Sequence, residues 1–314
     1  MRNLLQRTIQ DAVTCTGIGL HSGEKIKLTL YPAPEDSGVV IHRTDLPGSP
    51  GVKACLENVV HTRLATTLGQ DGVVIGTVEH LLSTLAGLGI DNVRVEVSGP
   101  EIPVMDGSSA PFVYLLKSGG VRLQSRYKKF CLVTRPVLVQ EGDKLVMVEP
   151  GREFSVHYSI SFDHPLIRNQ SLEFKFSDVA FERELSRART FGFLHEVEYL
   201  KKNGFARGGS LANAVVVDRF RILNQDGLRY EDEFIRHKIL DFIGDISLMG
   251  VPIIGRFTAV KSGHTLNHVL MTKLKAAAGA WRLVEFTDPS HCRAQNVMVP
   301  SWGLLDQGAH QAAA

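Results

Sequence analysis

The sequence predicts an α+β protein of two domains built to a similar plan. Its 314 residues lie at or past the length where a single core splits. Short alternating segments broken by Gly, Pro and Asp give strand-and-turn texture, and an order of strands, helix, strand, helix recurs in both halves without a visible sequence repeat. The expected boundaries are 1–122 and 129–290, joined by the polar, turn-prone Gly119 to Lys129, with a tail over 291–314.

Lys25 to Tyr31 (KIKLTLY) and Gly38 to His42 read as strands. From Thr77 the pattern becomes TVEHLLSTLAGLG, apolar at helical spacing, with Thr77 as the N-cap and Gly87 or Gly89 as the stop. Asn92 to Val97 follows as a strand, and Ala110 to Lys117 as a second apolar helix. In the other half Phe130 to Val139, Lys144 to Val148, Phe154 to Phe162 and Ile253 to Val260 read as strands. Phe191 to Val217 reads as a helix bracketed by extended segments, and the longest helical signal runs from Arg229 to Gly250. From Cys292 onward no periodicity is strong, so a frayed tail is expected.

Hydrophobic residues make up 44% and charged residues 22%, an ordinary globular balance. With 35 basic against 33 acidic residues and no long block of either sign, nucleic acid is a poor partner. The N-terminus MRNLLQRTIQDAV lacks a signal peptide's apolar core, and no run approaches the ~20 apolar residues of a membrane span. The cytoplasm is the simplest address. Cys15, Cys55, Cys131 and Cys292 are far apart and form no CxxC pair, so any metal must use His and carboxylate ligands.

Three polar residues interrupt the apolar logic of the long helix. His237 and Asp241 are four apart and stand on one face, as two ligands of one ion require, and Asp245 continues the stripe. Such a pair is more often a surface hydrogen bond than a metal site. Glu79-His80 offers an imidazole beside a carboxylate, which would supply the third ligand a catalytic zinc needs. Glu79, in the first turn of its helix, fits a simple capping role equally well by spacing, although the LLSTLAGL that follows is apolar. His264 in KSGHTLN lies between an apolar strand and a helix, where catalytic groups concentrate and where local caps are also common; Asp245 is its candidate partner. The remaining histidines, His310 among them, read as surface or core residues.

Together GIGLHSGEK at 17–25, TVEHLLSTLAGLGIDN at 77–92, EIPVMDGSSAPFVYLL at 101–116, SRARTFGF at 186–193, RILNQDGLRYEDEFIRHKILDFIGD at 221–245 and KSGH at 261–264 closely resemble one family. It is that of the UDP-3-O-acyl-N-acetylglucosamine deacetylases, the LpxC enzymes of lipid A biosynthesis. The likeness runs from about Leu5 to Phe286; HTRLATT at 61–67 and the stretch after Phe286 match less well.

The resemblance implies two domains that each pack sheets and helices in layers, with the active site in the cleft between them. It implies zinc held by His80, His237 and Asp241, although two imidazoles and one carboxylate also suit iron(II). Glu79 then matches the general base, His264 the cationic acid with Asp245 behind it, and Thr190 a hydroxyl on the oxyanion. Lys238 would lie beside the metal ligands facing the substrate. Lys144, Lys238 and Lys261 are candidates for the diphosphate and Phe162 for stacking on uracil, against the plain alternative of solvated lysines and a core aromatic. The insert at about 191–217, opening at Phe191, would form the acyl-chain passage, lined by Leu194, Val197, Leu200, Ala206 and Val216 unless these form an internal core. The implied protein is a cytoplasmic monomer acting on a UDP-3-O-acyl-N-acetylglucosamine. Two other readings stay open: a zinc amidohydrolase for a different sugar or peptide, and a non-catalytic nucleotide-sugar binding protein whose His and Asp residues only tie two domains together.

Overall fold

The computed structural model describes residues 2–303, so the His310 expectation lies outside them. The fold is α+β, as expected. In the first half, Val13–Ile18, Lys25–Pro32, Val93–Val97, Val39–Arg43 and Gly51–Lys53 form a five-stranded sheet in that order. It is antiparallel except where Val39–Arg43 runs parallel to Val93–Val97. A three-stranded sheet, Val59–His61, Thr67–Gln70 and Val73–Ile75, precedes the first long helix. In the second half a seven-stranded sheet centres on Ile253–Val260, which again has a parallel neighbour, Phe154–Ser161.

The helix Glu79–Gly87 buries Val78, Leu81, Leu82, Leu85 and Leu88, one apolar face at helical spacing. It stops in a Schellman motif: Gly89 takes φ +70°, the Ile90 N–H returns to Leu85 O at 2.9 Å and the Gly89 N–H to Ala86 O. Its start differs from expectation. Val78 is the N-cap, with no side-chain cap. Thr77 instead sits at φ +55° and its hydroxyl donates to Glu101, whose carboxylate also accepts the N–H groups of His21 and Ser22. A competing acceptor has taken the capping hydroxyl.

That helix packs along Glu233–Ser247, the core of the long helix expected over 229–250. The approach is close because Gly244 has no side chain, and a Cβ there would lie 2.1 Å from the Glu79 carbonyl oxygen. One hydrophobic cluster joins both halves through this pair, from Leu81 and Leu85 on one helix to Ile239 and Phe242 on the other.

Two sequence expectations are corrected. The segment read as a linker contains the strand Val121–Tyr127, paired antiparallel with Leu5–Ile9. Its polar residues deceived because the ribbon is half exposed. The described part of the tail read as frayed, up to residue 303, enters the helix Pro289–Ala294 and buries Cys292, Val297 and Trp302 against Leu4, Phe130 and Ile254. Trp302 is 2% exposed, with its Nε1–H on Ala86 O and the Lys128 ammonium over its ring. Three spaced apolar residues suffice to anchor a segment that has no periodicity.

Candidate metal centre

Helix spacing brings His237 and Asp241 together, and packing of the Glu79–Gly87 helix supplies His80. One ligand atom from each of the three lies within 4.8 Å of the others, and all three residues are buried. Asp241 Oδ1 is 3.3 Å from His237 Nε2 and 3.4 Å from His80 Nε2. Asp241 Oδ2 is occupied by the Lys238 ammonium at 2.9 Å, while no aligned hydrogen bond reaches the buried Oδ1.

The Ala188 carbonyl lies 3.0 Å from His237 Nδ1 and so accepts a hydrogen bond from the Nδ1–H, leaving Nε2 as a lone pair directed at a carboxylate. Burial drives His237 down to about 3, so the ring stays neutral. At His80 burial acts the same way, but the Asp241 and Glu79 carboxylates outweigh it and raise the ring above its ordinary value. Burial also opposes the Asp241 carboxylate, yet His237, Lys238 and the other imidazoles hold it well below the usual range. A lone pair facing a buried, unpaired anionic oxygen is an arrangement that a divalent cation resolves. The donor set of two imidazoles and one carboxylate fits such an ion with coordination positions left over.

Beside it lie Glu79 and His264. Glu79 is 4% exposed and its Oε2 accepts the Thr66 N–H at 3.0 Å, so its carboxylate is held by Thr66 and not by the N–H groups of its own helix. Burial pushes that carboxyl up, against the pull of the His264 and His80 charges. His264 opens the helix His264–Ala276, and its Nδ1 meets Asp245 at 2.9 Å. Burial alone would lower His264; the Asp245 charge and hydrogen bond, with Glu79 behind, raise it to about 9. The ring is therefore cationic at neutral pH.

Thr190 follows Arg189, which is clamped by Glu233 through its main-chain N–H and its guanidinium. The Thr190 N–H donates to Gly107 O, and its carbonyl accepts from Val215 N. This holds Thr190 two residues from the Ala188 carbonyl that orients His237. The parallel strands Phe191–Phe193 and Val215–Val217 start there, and the helix Leu194–Lys202 follows, as the sequence led us to expect. That helix buries none of its residues, so Leu194, Val197 and Leu200 are not core, whereas Ala206 and Val216 are each 7% exposed. Phe162 packs edgewise on Phe191 and at a tilt on Phe193. Lys261 pairs with Asp143, and Lys144 sits exposed at the same end of the sheet. Among the described residues no ion pair joins Lys144 or Lys261 to the metal cluster.

Sequence reasoning missed Thr66 and Asn267. Thr66 donates its hydroxyl to Asp245 Oδ1 at 2.6 Å, and Asn267 its amide to Asp245 Oδ2 at 2.8 Å. Asn267 had a usable signal, three residues past His264 on one helix face; Thr66 lies between strands with no periodic pattern to mark it. No helix among the described residues is long and apolar enough to cross a membrane.

Comparison with known proteins places the chain in a family. A family model described as UDP-3-O-acyl N-acetylglycosamine deacetylase, LpxC, matches residues 6–276. Proteins named UDP-3-O-acyl-N-acetylglucosamine deacetylase are similar over nearly their whole length. One from Saccharophagus degradans is 52% identical over 285 residues, 90% of this chain and 94% of its own. One from Myxococcus xanthus is 54% identical over 279 residues, 89% of each chain. One from Coxiella burnetii is 50% identical over 287 residues, 91% of this chain and 95% of its own. With a match that spans both helices of the metal cluster and the His264 turn, the chain belongs to the UDP-3-O-acyl N-acetylglycosamine deacetylase family.

Proposed function

We propose that this chain is a zinc-dependent hydrolase that removes acetate from UDP-3-O-(3-hydroxyacyl)-N-acetylglucosamine, the committed deacetylation of lipid A biosynthesis. The observation that carries the metal-dependent chemistry is the buried, unpaired Asp241 Oδ1 facing His237 Nε2 beside His80; family membership carries the substrate. The ligands would be His80, His237 and Asp241, with iron(II) as the alternative ion.

A bound zinc ion would supply Lewis acidity toward the amide carbonyl and the attacking water. Glu79, kept more basic by burial, takes a proton from that water as it adds to the acetamide carbon. His264 meets Asp245 through Nδ1, which leaves Nε2 free to face the reacting atoms, and its positive charge stabilises the developing oxyanion together with the Thr190 hydroxyl. As the C–N bond breaks, a proton passes to the amine, with His264 as donor in our reading and Glu79 as the other possible one. Acetate and the free amine leave.

Lys238, beside the metal ligands, and Lys261 and Lys144 are our candidates for the diphosphate, and Phe162 for the uracil. The acyl chain would run along the insert from Phe191, past Leu194, Val197, Leu200, Ala206 and Val216. The uncovered face of the Leu194–Lys202 helix supports a passage over a core. We read residues 1–122 and 129–290 as two domains meeting at this cleft, in a cytoplasmic monomer. The test is acetate release from the acylated UDP-sugar, with chelation and metal add-back. The reading requires loss on chelation and recovery with zinc; turnover that survives full metal removal sinks it.

A further inference from the structure

Thr66 touches Glu79 and, at the same time, Asp245, the carboxylate that holds His264. It lies between the strands Val59–His61 and Thr67–Gln70 and is 2% exposed. Its main chain clamps the start of the Glu79–Gly87 helix from two sides, the N–H donating to Glu79 Oε2 at 3.0 Å and the carbonyl accepting Val78 N–H at 3.2 Å. Its side chain reaches the other helix, where the hydroxyl donates its single proton to Asp245 Oδ1 at 2.6 Å.

The remaining donors to Asp245 come from one element. His264 Nδ1 lies 2.9 Å from Oδ2 and 3.1 Å from Oδ1, and Asn267 Nδ2 lies 2.8 Å from Oδ2. Asn267 is itself held, its Oδ1 accepting from Ser262 Oγ at 2.6 Å. Thr66 is thus the donor to this carboxylate that comes from the Glu79 side of the site. A β-branched side chain has few χ1 choices, so the hydroxyl direction is tied to the backbone that holds Glu79.

We propose that Thr66 is a positioning residue of the deacetylation, one residue whose main chain sets the Glu79 carboxylate and whose hydroxyl sets the Asp245–His264 pair against it. This rests on the functional reading above. The peptide N–H survives any substitution except proline, so side-chain changes isolate the link to Asp245. Thr66→Val keeps the shape and loses the donor, Thr66→Ala loses it without filling the space, and Thr66→Ser restores it.

The experiment measures acetate release by the metal-loaded full chain for these variants, alone and in an Asp245→Ala background. Thr66→Val and Thr66→Ala should lower kcat about tenfold or more with KM within about twofold, the loss expected for a hydrogen bond to a buried charge. Thr66→Ser should return kcat to within about threefold of the parent, and in the Asp245→Ala background Thr66→Val should cost less than about twofold more. Unchanged kcat in both Thr66→Val and Thr66→Ala overturns the proposal, as does an equal loss in the two backgrounds, which would mark a structural role. Thr66→Ala carries the test if Thr66→Val does not fold. The His264 ring resonances, followed by NMR without substrate, should move in Thr66→Val and return in Thr66→Ser. If they stay in place the proposal fails, even where the parent chain releases no acetate and the functional reading has failed separately.

Discussion

His237 and Asp241, one helical turn apart, face each other as lone pair and carboxylate at 3.3 Å, with the far side of the imidazole held by the Ala188 carbonyl. No aligned hydrogen bond reaches that oxygen, so a bound cation should stabilise the fold as well as supply chemistry. Binding that favours the native state adds about 2.7 kcal/mol at a hundredfold excess over Kd. Chelation is expected to lower the melting temperature and zinc to restore it. Asp241→Ala should show neither shift and should purify without stoichiometric metal. Full metal occupancy in Asp241→Ala would remove Asp241 from the ligand set.

The His264–Asp245 pair gives the metal-free chain a pH signature. His264 is raised from its ordinary 6.5 to about 9, so the folded chain holds the proton more tightly than the unfolded one. Stability from the pair is then fully present below about pH 6.5 and is lost as pH rises through 9. The size is on the order of 2 kcal/mol, reduced because the ring keeps some contact with solvent. Urea unfolding of the parent and of Asp245→Asn should converge toward pH 9 and diverge toward pH 6.5. Parallel curves across that window would mean the pair is not coupled as drawn.

Gly244 is where the helices that carry His80 and His237 approach closely, and its missing side chain sets their separation. A methyl group there meets backbone, the Glu79 carbonyl at 2.1 Å, which cannot rotate aside as a side chain would. Gly244→Ala should therefore cost at least about 2 kcal/mol, the range of overpacked cores. By forcing Glu79 and His80 away from His237 it should also weaken metal binding, whereas an ordinary destabilising change would leave metal affinity alone. Denaturant titration and metal analysis on the same sample separate the two. A stable Gly244→Ala with normal metal content would show that the helices can part without consequence.

What the sequence made legible were features carried by spacing or by apolar runs. His237 and Asp241 followed from a four-residue step, the Ile253–Val260 strand from its apolar run, and the insert from a helical stretch between extended ones. The family strings, not spacing, joined His80 to them. What stayed hidden depended on partners distant in sequence. Thr77 looked like an N-cap until Glu101 claimed its hydroxyl. Val121–Tyr127 looked like a linker because the partner that makes it a strand, Leu5–Ile9, lies at the other end of that half. Trp302 looked like tail because its pocket is built by Ala86, Gly89 and Lys128. Thr66 had no local mark at all, since its role is defined by Glu79 and by Asp245 at a separation of 179 residues.

The insert carries the remaining prediction. Val197 points back at the strand pair, close enough that a Cβ on Gly192 would be 3.3 Å from Val197 Cγ2. None of the residues of its helix is buried, so a larger side chain can turn toward solvent without a large stability cost. If the acyl chain lies there, Val197→Trp should narrow the passage and lower kcat/KM for a long-chain substrate, and less so for a short-chain one. Each methylene excluded from an apolar contact is worth about 0.8 kcal/mol, so losing two or three would cost roughly ten- to fiftyfold. Metal content and turnover of the short-chain substrate should stay near the parent's, because Val197 lies on the insert helix and is not one of the three clustered ligand residues. Equal losses on both substrates would instead mean that the helix packs as structure and that the chain runs elsewhere.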